Sequence, residues 1–249
     1  MSKPILVVIP YCSQGAQGRE LEYAVAGWRR HFKEDYLIVL AGEDHPITKT
    51  GDDICCIQSE RVAPIEGQYR QHLDYVSCFK KVRQAFPDSE GFIFVADDCY
   101  AVHDFDLIDV KLLKALPSEM FNNANPFNGW QIDVVKTRMR LLEEGYPIHN
   151  YTTHLPQWIE WDKLEALWKK YDMEHQSYVM EDFYYNIYYK DRLPVRLDQE
   201  RDSIKCGVYS KEPDFDQIER AFQNKIWITN SPVGWSDRLD KMLSEYYGI

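Results

Sequence analysis

Three short clusters in this chain hold the residue types from which chemistry is made: Asp97-Asp98, the His154 of HLP, and Glu181-Asp182. The first pair follows four apolar residues, Phe92 to Val95, inside the stretch GFIFVADDCY at 91–100. A continuous apolar run of this kind reads as a strand buried on both faces. Acids at its end fall on the carboxyl edge of a sheet, where open α/β folds bind ligands. Adjacent carboxylates there suit a hard divalent cation, Mn²⁺ or Mg²⁺, which takes one or two carboxylates plus substrate phosphates. A cation held by Asp98 would neutralise a diphosphate leaving group, and a carboxylate from another element would deprotonate an acceptor hydroxyl. Each cluster also has a plainer reading. An Asp-Asp pair is ordinary turn chemistry, and Glu181-Asp182 suits the first turn of a helix, where acids favour the macrodipole. His154 is a candidate metal ligand or phosphate donor, but it stands in a turn-rich loop where histidines commonly pack.

The elements that would position these clusters follow from periodicity. Residues 4–9 (PILVVI), 36–41 (YLIVLA) and 54–57 (ICCI) read as strands. Leu21, Ala24, Val25, Trp28 and Phe32 recur on one helical face after Arg19, and Tyr69, Leu73, Val76, Phe79 and Val82 share another within 67–86. The order β-α-β-β-α-β predicts an α/β fold with a mostly parallel, doubly wound sheet flanked by helices. The loop YCSQGAQG after the first strand lacks G-x-G-x-x-G spacing, so no dinucleotide site is expected. A nucleotide is expected instead over the carboxyl ends of the first strands, near Pro10-Tyr11 and Ala41-Gly42-Glu43, with Tyr11 available to stack on a base. Arg19, at the start of the first helix, could reach a phosphate at that edge.

Farther along, 131–144 reads as a helix with Ile132, Val135, Met139 and Leu142 in register. Leu164, Leu167, Trp168 and Tyr171 mark another, and Glu181-Asp182 lead the aromatic run of MEDFYYNIYY at 180–189. NNANP at 122–126 reads as an exposed loop. A short strand at 226–229 and a terminal amphipathic helix close the chain. No linker, repeat or low-complexity tract interrupts it. A single domain over 1–249 is expected, with 1–104 as the nucleotide-binding half and 105–249 as the acceptor-side half.

Composition narrows the class. The 249 residues are 45% hydrophobic, enough for a sizeable core, and carry a formal charge of −11, which argues against a non-specific nucleic-acid binder. Aromatic residues make up 14%, a content that suits stacking on sugars or bases as well as large cores. The six cysteines form no C-x-x-C pair and read as free thiols of a reducing compartment, so a cytoplasmic protein is expected. The apolar run at the N-terminus ends at Pro10, too short for a signal peptide or a membrane span.

The order of strand, acidic motif and ED before a helix resembles the GT-A-fold glycosyltransferases of the nucleotide-diphospho-sugar transferase superfamily. VADDCY is similar to the acidic triplet-hydrophobe-aromatic motif of the fringe-type galactosyltransferases, and MEDFYYNIY to their ED-hydrophobe-aromatic motif. The resemblance implies that Asp98 is the metal ligand, that Asp97 contacts the sugar or ribose, and that Asp182 is the base, with Glu181 as its fallback. The first acid of the triplet is Ala96 here, which removes one donor contact. RELEYAVAGWRRHF, DYLIVLAGEDHP, FIFVADDCYAV and HLP are also similar in order to the Stealth sugar-phosphate transferases, although IPYCSQG replaces that family's opening motif. The implied activity is metal-dependent transfer of a sugar from a nucleotide-sugar donor to an acceptor hydroxyl, inverting if a base is present. Transfer of a sugar phosphate and a catalytically idle nucleotide- or sugar-binding protein are the rivals. The acceptor stays open among glycan, lipid, protein and modified nucleic-acid base.

Overall fold

The structure is a computed structural model that describes residues 3–43, 45, 47, 51–66, 68–117 and 128–249. The 122–126 segment expected as a loop lies outside these residues, and of the GEDHP stretch only Gly42, Glu43 and His45 lie inside them. The first hundred residues follow the expected order: β1 (Ile5–Tyr11), α1 (Glu20–His31), β2 (Tyr36–Gly42), β3 (Ile54–Gln58), α2 (Arg70–Ala85) and β4 (Gly91–Phe94). The apolar runs become strands because both faces are covered. Val7, Val8 and Ile9 of β1 and Ile38 and Val39 of β2 have no exposed surface, with α1 on one side and α2 on the other. The helical faces also pack as their spacing requires: Leu21, Ala24, Val25 and Trp28 are buried on α1, and Leu73, Val76, Phe79 and Val82 on α2.

The second half runs β5 (Cys99–Ala101), α3 (Leu107–Lys111), β6 (Lys114–Ala115), α4 (Gly129–Glu143), β7 (Gln157–Glu160), α5 (Trp161–Tyr171) and α6 (Met180–Tyr188). It continues through β8 (Val195–Arg196), β9 (Lys205–Val208), α7 (Phe215–Asn224), β10 (Trp227–Asn230) and α8 (Asp237–Tyr247). Among the described residues the main sheet has the order β3-β2-β1-β4-β7, with β7 antiparallel to β4 and the rest parallel. The reversal of β7 matters for function. Gln157 pairs with Phe94, so the strand begins at the edge where β4 ends, and the HLP segment before it arrives beside Asp97-Asp98. A second sheet, β5-β10-β9, packs against α1 through Tyr23, Ala24 and Tyr100.

The aromatic content is largely structural. Phe92 stacks on Trp161 with centroids 4.2 Å apart and meets Phe79 at 4.9 Å, while Tyr171 stacks on Phe183 at 4.3 Å. Such pairs add about 1 kcal/mol each beyond the area they bury. The outer edge of β7 is closed by α6: the Glu160 N–H donates to the Tyr184 hydroxyl (2.9 Å), and the Tyr185 hydroxyl donates to the Trp158 carbonyl (2.7 Å).

The strand expected from the apolar run at 92–95 ends before Asp97-Asp98, where the chain turns and re-enters a different sheet as β5. One expectation is corrected. The stripe Ile132, Val135, Met139 and Leu142 does not face the core. Met139 and Leu142 are more than half exposed, and α4 instead buries Asp133, Val134, Thr137 and Leu141. Polar contacts to α6 set that rotation: the Val179 N–H donates to Thr137 Oγ1 at 3.0 Å.

Candidate active site

The carboxyl ends of β1 and β2 form one continuous rim. Pro10 pairs with Ala41 and Tyr11 with Gly42, and the Glu43 N–H donates to the Tyr11 carbonyl at 3.3 Å. Gly42 has φ +146°, and a Cβ there would lie 2.0 Å from the Tyr11 oxygen, so the two strand ends can approach only through glycine. Glu43 ties the loops together by accepting from the Ser13 N–H (3.1 Å) and hydroxyl (3.0 Å). Five of the expected donor-binding residues, Pro10, Tyr11, Ala41, Gly42 and Glu43, thus share one edge. Arg19 does not join them. Its guanidinium is turned to Glu22 at 2.8 Å and lies over the Tyr23 ring.

Asp97 and Asp98 occupy the turn between β4 and β5, next along the same rim. His154 reaches Asp98 from the segment before β7, with Nδ1 3.0 Å from Oδ2 and 3.2 Å from Oδ1. Its backbone is left-handed, φ 58°, a conformation that costs a non-glycine residue about 1 kcal/mol and often marks a functional constraint. The preceding residue is clamped: the buried Lys205 ammonium donates to the Thr153 carbonyl, and Gln157 holds the Tyr151 carbonyl at 2.7 Å. Burial drives the Asp97 carboxyl well above its usual range, and Asp98 and Glu20 add to the rise. Burial also lifts Glu20 to about 7, against opposing hydrogen bonds from Asn230 and Gln17. Three acids crowded in this way favour a cation.

Among the described residues no group of three or more His, Cys, Asp or Glu side chains is placed to hold a metal ion. The donor set on the rim is one carboxylate and one imidazole, Asp98 and His154. That set fits a hard cation whose remaining positions are filled by phosphate oxygens and water.

Beside this pair is a cavity of about 230 Å³, lined among others by His72, Tyr75, Ala96, Trp130, His154 and Glu181. The two acids of the ED motif part company here. Glu181 faces the cavity, and burial raises its carboxyl, opposed by His72 and His154. Asp182 has no exposed surface and accepts the Tyr151 N–H at 2.7 Å. The expected base is therefore turned into the protein, because successive helical residues point about 100° apart and only one of the two can face the cavity.

The site also contains residues that sequence reasoning passed over. His72 Nδ1 lies 2.9 Å from Oδ2 of the fully buried Asp133, which also accepts the Tyr69 N–H at 3.1 Å and contacts Ser177 Oγ. The available signal was a polar residue within an apolar helical stripe: His72 precedes Leu73 and lies one turn before Val76.

No protein-family model matches this chain, and no curated protein does. Solved structures are similar over 99% of it. One is a glycosyltransferase involved in the glycosylation of the major capsid of PBCV-1, 14% identical over the whole of that chain, with a TM-score of 0.43. Another is the WbbM bifunctional glycosyltransferase, 12% identical with a TM-score of 0.51, of which this chain spans 50% of the length. A third is the glycosyltransferase GlyE of Streptococcus pneumoniae TIGR4, 17% identical over 61% of that chain, with a TM-score of 0.39. The WbbM likeness shows a shared fold, a mixed α/β domain with a central sheet flanked by helices.

Proposed function

We propose that the protein is a metal-dependent glycosyltransferase of GT-A type that moves a sugar from a nucleotide-sugar donor to an acceptor hydroxyl with inversion. The observation that carries the reading is the meeting of Asp98 and His154 on the rim formed by the strand ends, in a fold shared with a glycosyltransferase. The loops after β1 and β2 take the nucleotide, with Tyr11 beside the base and Asp97 toward the ribose or sugar. Asp98 and His154 hold Mn²⁺ or Mg²⁺, which when bound offsets the charge of the diphosphate. Glu181 faces the acceptor, while Asp182 fixes the Tyr151 backbone that leads to His154. Ala96 puts a methyl group in the cavity wall where the fringe-type motif has its first acid. The six cysteines are free, which supports a reducing compartment, the cytoplasm. No described helix is long and apolar enough to cross a membrane.

Incubation with UDP-, GDP- and ADP-hexoses, with and without Mn²⁺, tests this reading. Metal-dependent release of a nucleoside diphosphate is expected. Release of a nucleoside monophosphate would instead assign the site to sugar-phosphate transfer, and binding without consumption would make the protein a binder.

A further inference from the structure

The Asp133–His72 pair is not needed to hold the donor, yet it is built with unusual care. Asp133 sits on α4 with no exposed surface, and its Oδ2 faces the Tyr69 peptide N–H, the Ser177 hydroxyl and His72 Nδ1. Ser177 Oγ also lies 2.9 Å from the Tyr69 carbonyl and 3.3 Å from Nδ1. Asp133 Oδ1 is buried with no hydrogen-bond partner among the described residues. The carboxylate is thus fixed from several elements: the start of α2, the segment before α6, and α4 itself. Oδ2 is an acceptor, so Nδ1 carries a proton, and Nε2, on the opposite edge of the ring, is the nitrogen left to take part in proton transfer. His72 lines the cavity together with Glu181 and His154.

We infer that His72 is a catalytic residue of the transfer reaction, receiving on Nε2 the proton of the acceptor hydroxyl as it attacks; the inference rests on the glycosyl-transfer reading. The bonds balance. The acceptor O–H bond breaks, its proton passes to Nε2, and its electron pair forms the new bond to the anomeric carbon. The bond from that carbon to the diphosphate breaks, and the diphosphate leaves with the pair. The imidazolium so formed is held by Asp133 at Nδ1 and shares its cavity with Glu181. A buried carboxylate stabilises that cation more than it stabilises the neutral ring. Glu181 then adds negative charge to the cavity that receives the imidazolium, and His72 takes the proton.

The test has two arms. In the ¹⁵N-labelled full chain, long-range ¹⁵N–¹H correlation should show His72 with a protonated Nδ1 and a bare Nε2. A proton resident on Nε2 would overturn the inference whatever the enzyme's substrate. In the second arm, wild type, His72→Gln and Asp133→Asn are compared for consumption of the nucleotide hexose that wild type turns over and for Mn²⁺-dependent affinity for its nucleoside diphosphate. His72→Gln should lose roughly 10²-fold in turnover with affinity unchanged, the usual scale for a missing general base. Asp133→Asn, whose amide oxygen can keep the Tyr69 N–H and Nδ1–H bonds but carries no charge to stabilise the imidazolium, should lose roughly tenfold in turnover with the imidazole still in place. Turnover of His72→Gln within threefold of wild type would remove His72 from the chemistry. If wild type itself consumes no nucleotide hexose, the glycosyl-transfer reading and this role both fall, while the NMR arm still reports the tautomer.

Discussion

His154 meets Asp98 with its imidazole 43% exposed, whereas His72 meets Asp133 where the carboxylate is wholly shielded. The two nitrogen–oxygen distances are nearly equal, 3.0 and 2.9 Å. Their surroundings differ. The first pair is joined by a loop residue in a left-handed conformation and borders other acids, so what it holds is decided by what arrives from solvent. The second is fixed from several elements, so its geometry is decided by the fold before any ligand binds. On the proposed reading, the same two side chains would serve as a docking point in one place and as a preset proton acceptor in the other.

The largest effect should come from the shielded pair. Asp133→Ala leaves His72, Ser177 and the Tyr69 N–H facing a void and should cost roughly 3–5 kcal/mol in chemical denaturation. Asp98→Ala should cost less than about 1 kcal/mol by the same measurement, since its partner His154 is 43% exposed and its removal relieves the crowding with Asp97. Equal losses would erase the distinction between the two pairs.

The open side should announce itself through pH. Burial raises Glu20 from 4.5 to about 7, so folding favours its neutral form. The stabilisation from that proton is complete below pH 4.5, declines as pH rises toward 7 and is gone above it, by up to about 3 kcal/mol. Glu20→Gln should flatten this slope in melts taken from pH 4.5 to 8, and an unchanged slope would place the titration elsewhere. Donor binding should follow the open pair too: Asp98→Ala should weaken Mn²⁺-dependent affinity for the nucleoside diphosphate by about 100-fold in calorimetry, the scale at which metal sites respond to lost partners. A full-strength response in the mutant would move the cation off this rim.

The smallest test concerns the neighbours Glu181 and Asp182. Asp182→Ala should cost about 1–3 kcal/mol in stability by orphaning the Tyr151 N–H. Glu181→Gln should leave the melting temperature within a degree or two and slow turnover by about tenfold. The reverse pattern would restore Asp182 as the acid that meets the acceptor.

The parallel half of the fold was legible because strands buried on both faces leave runs such as ILVVI and FIFV, and their helices leave regular stripes. The rim followed from it, whereas the meeting of Asp98 with the segment containing His154 depends on the reversal of β7. The short strands β7 and β9 were not legible, because four residues give no reliable period and their partners are distant in sequence. On α4 the visible stripe pointed the wrong way, since Asp133 and Thr137 are buried by specific hydrogen bonds that hydropathy counts as exposure. His72 was hidden for the same reason. Asp182 shows the limit of a motif: ED names two acids, and the phase of the helix decides which one faces the cavity.

The tyrosine hydroxyls along β7 have a consequence for the molecule among other molecules. A sheet that ends in a bare strand offers its amides and carbonyls to any extended chain, and aggregates grow by that route. Here the outward Glu160 amide and Trp158 carbonyl are already engaged by Tyr184 and Tyr185. Those two groups on the strand's outer edge are therefore closed to recruitment by another polypeptide. Replacing both tyrosines with phenylalanine would keep the rings and unseal the strand, exposing a site for self-association without touching the chemistry.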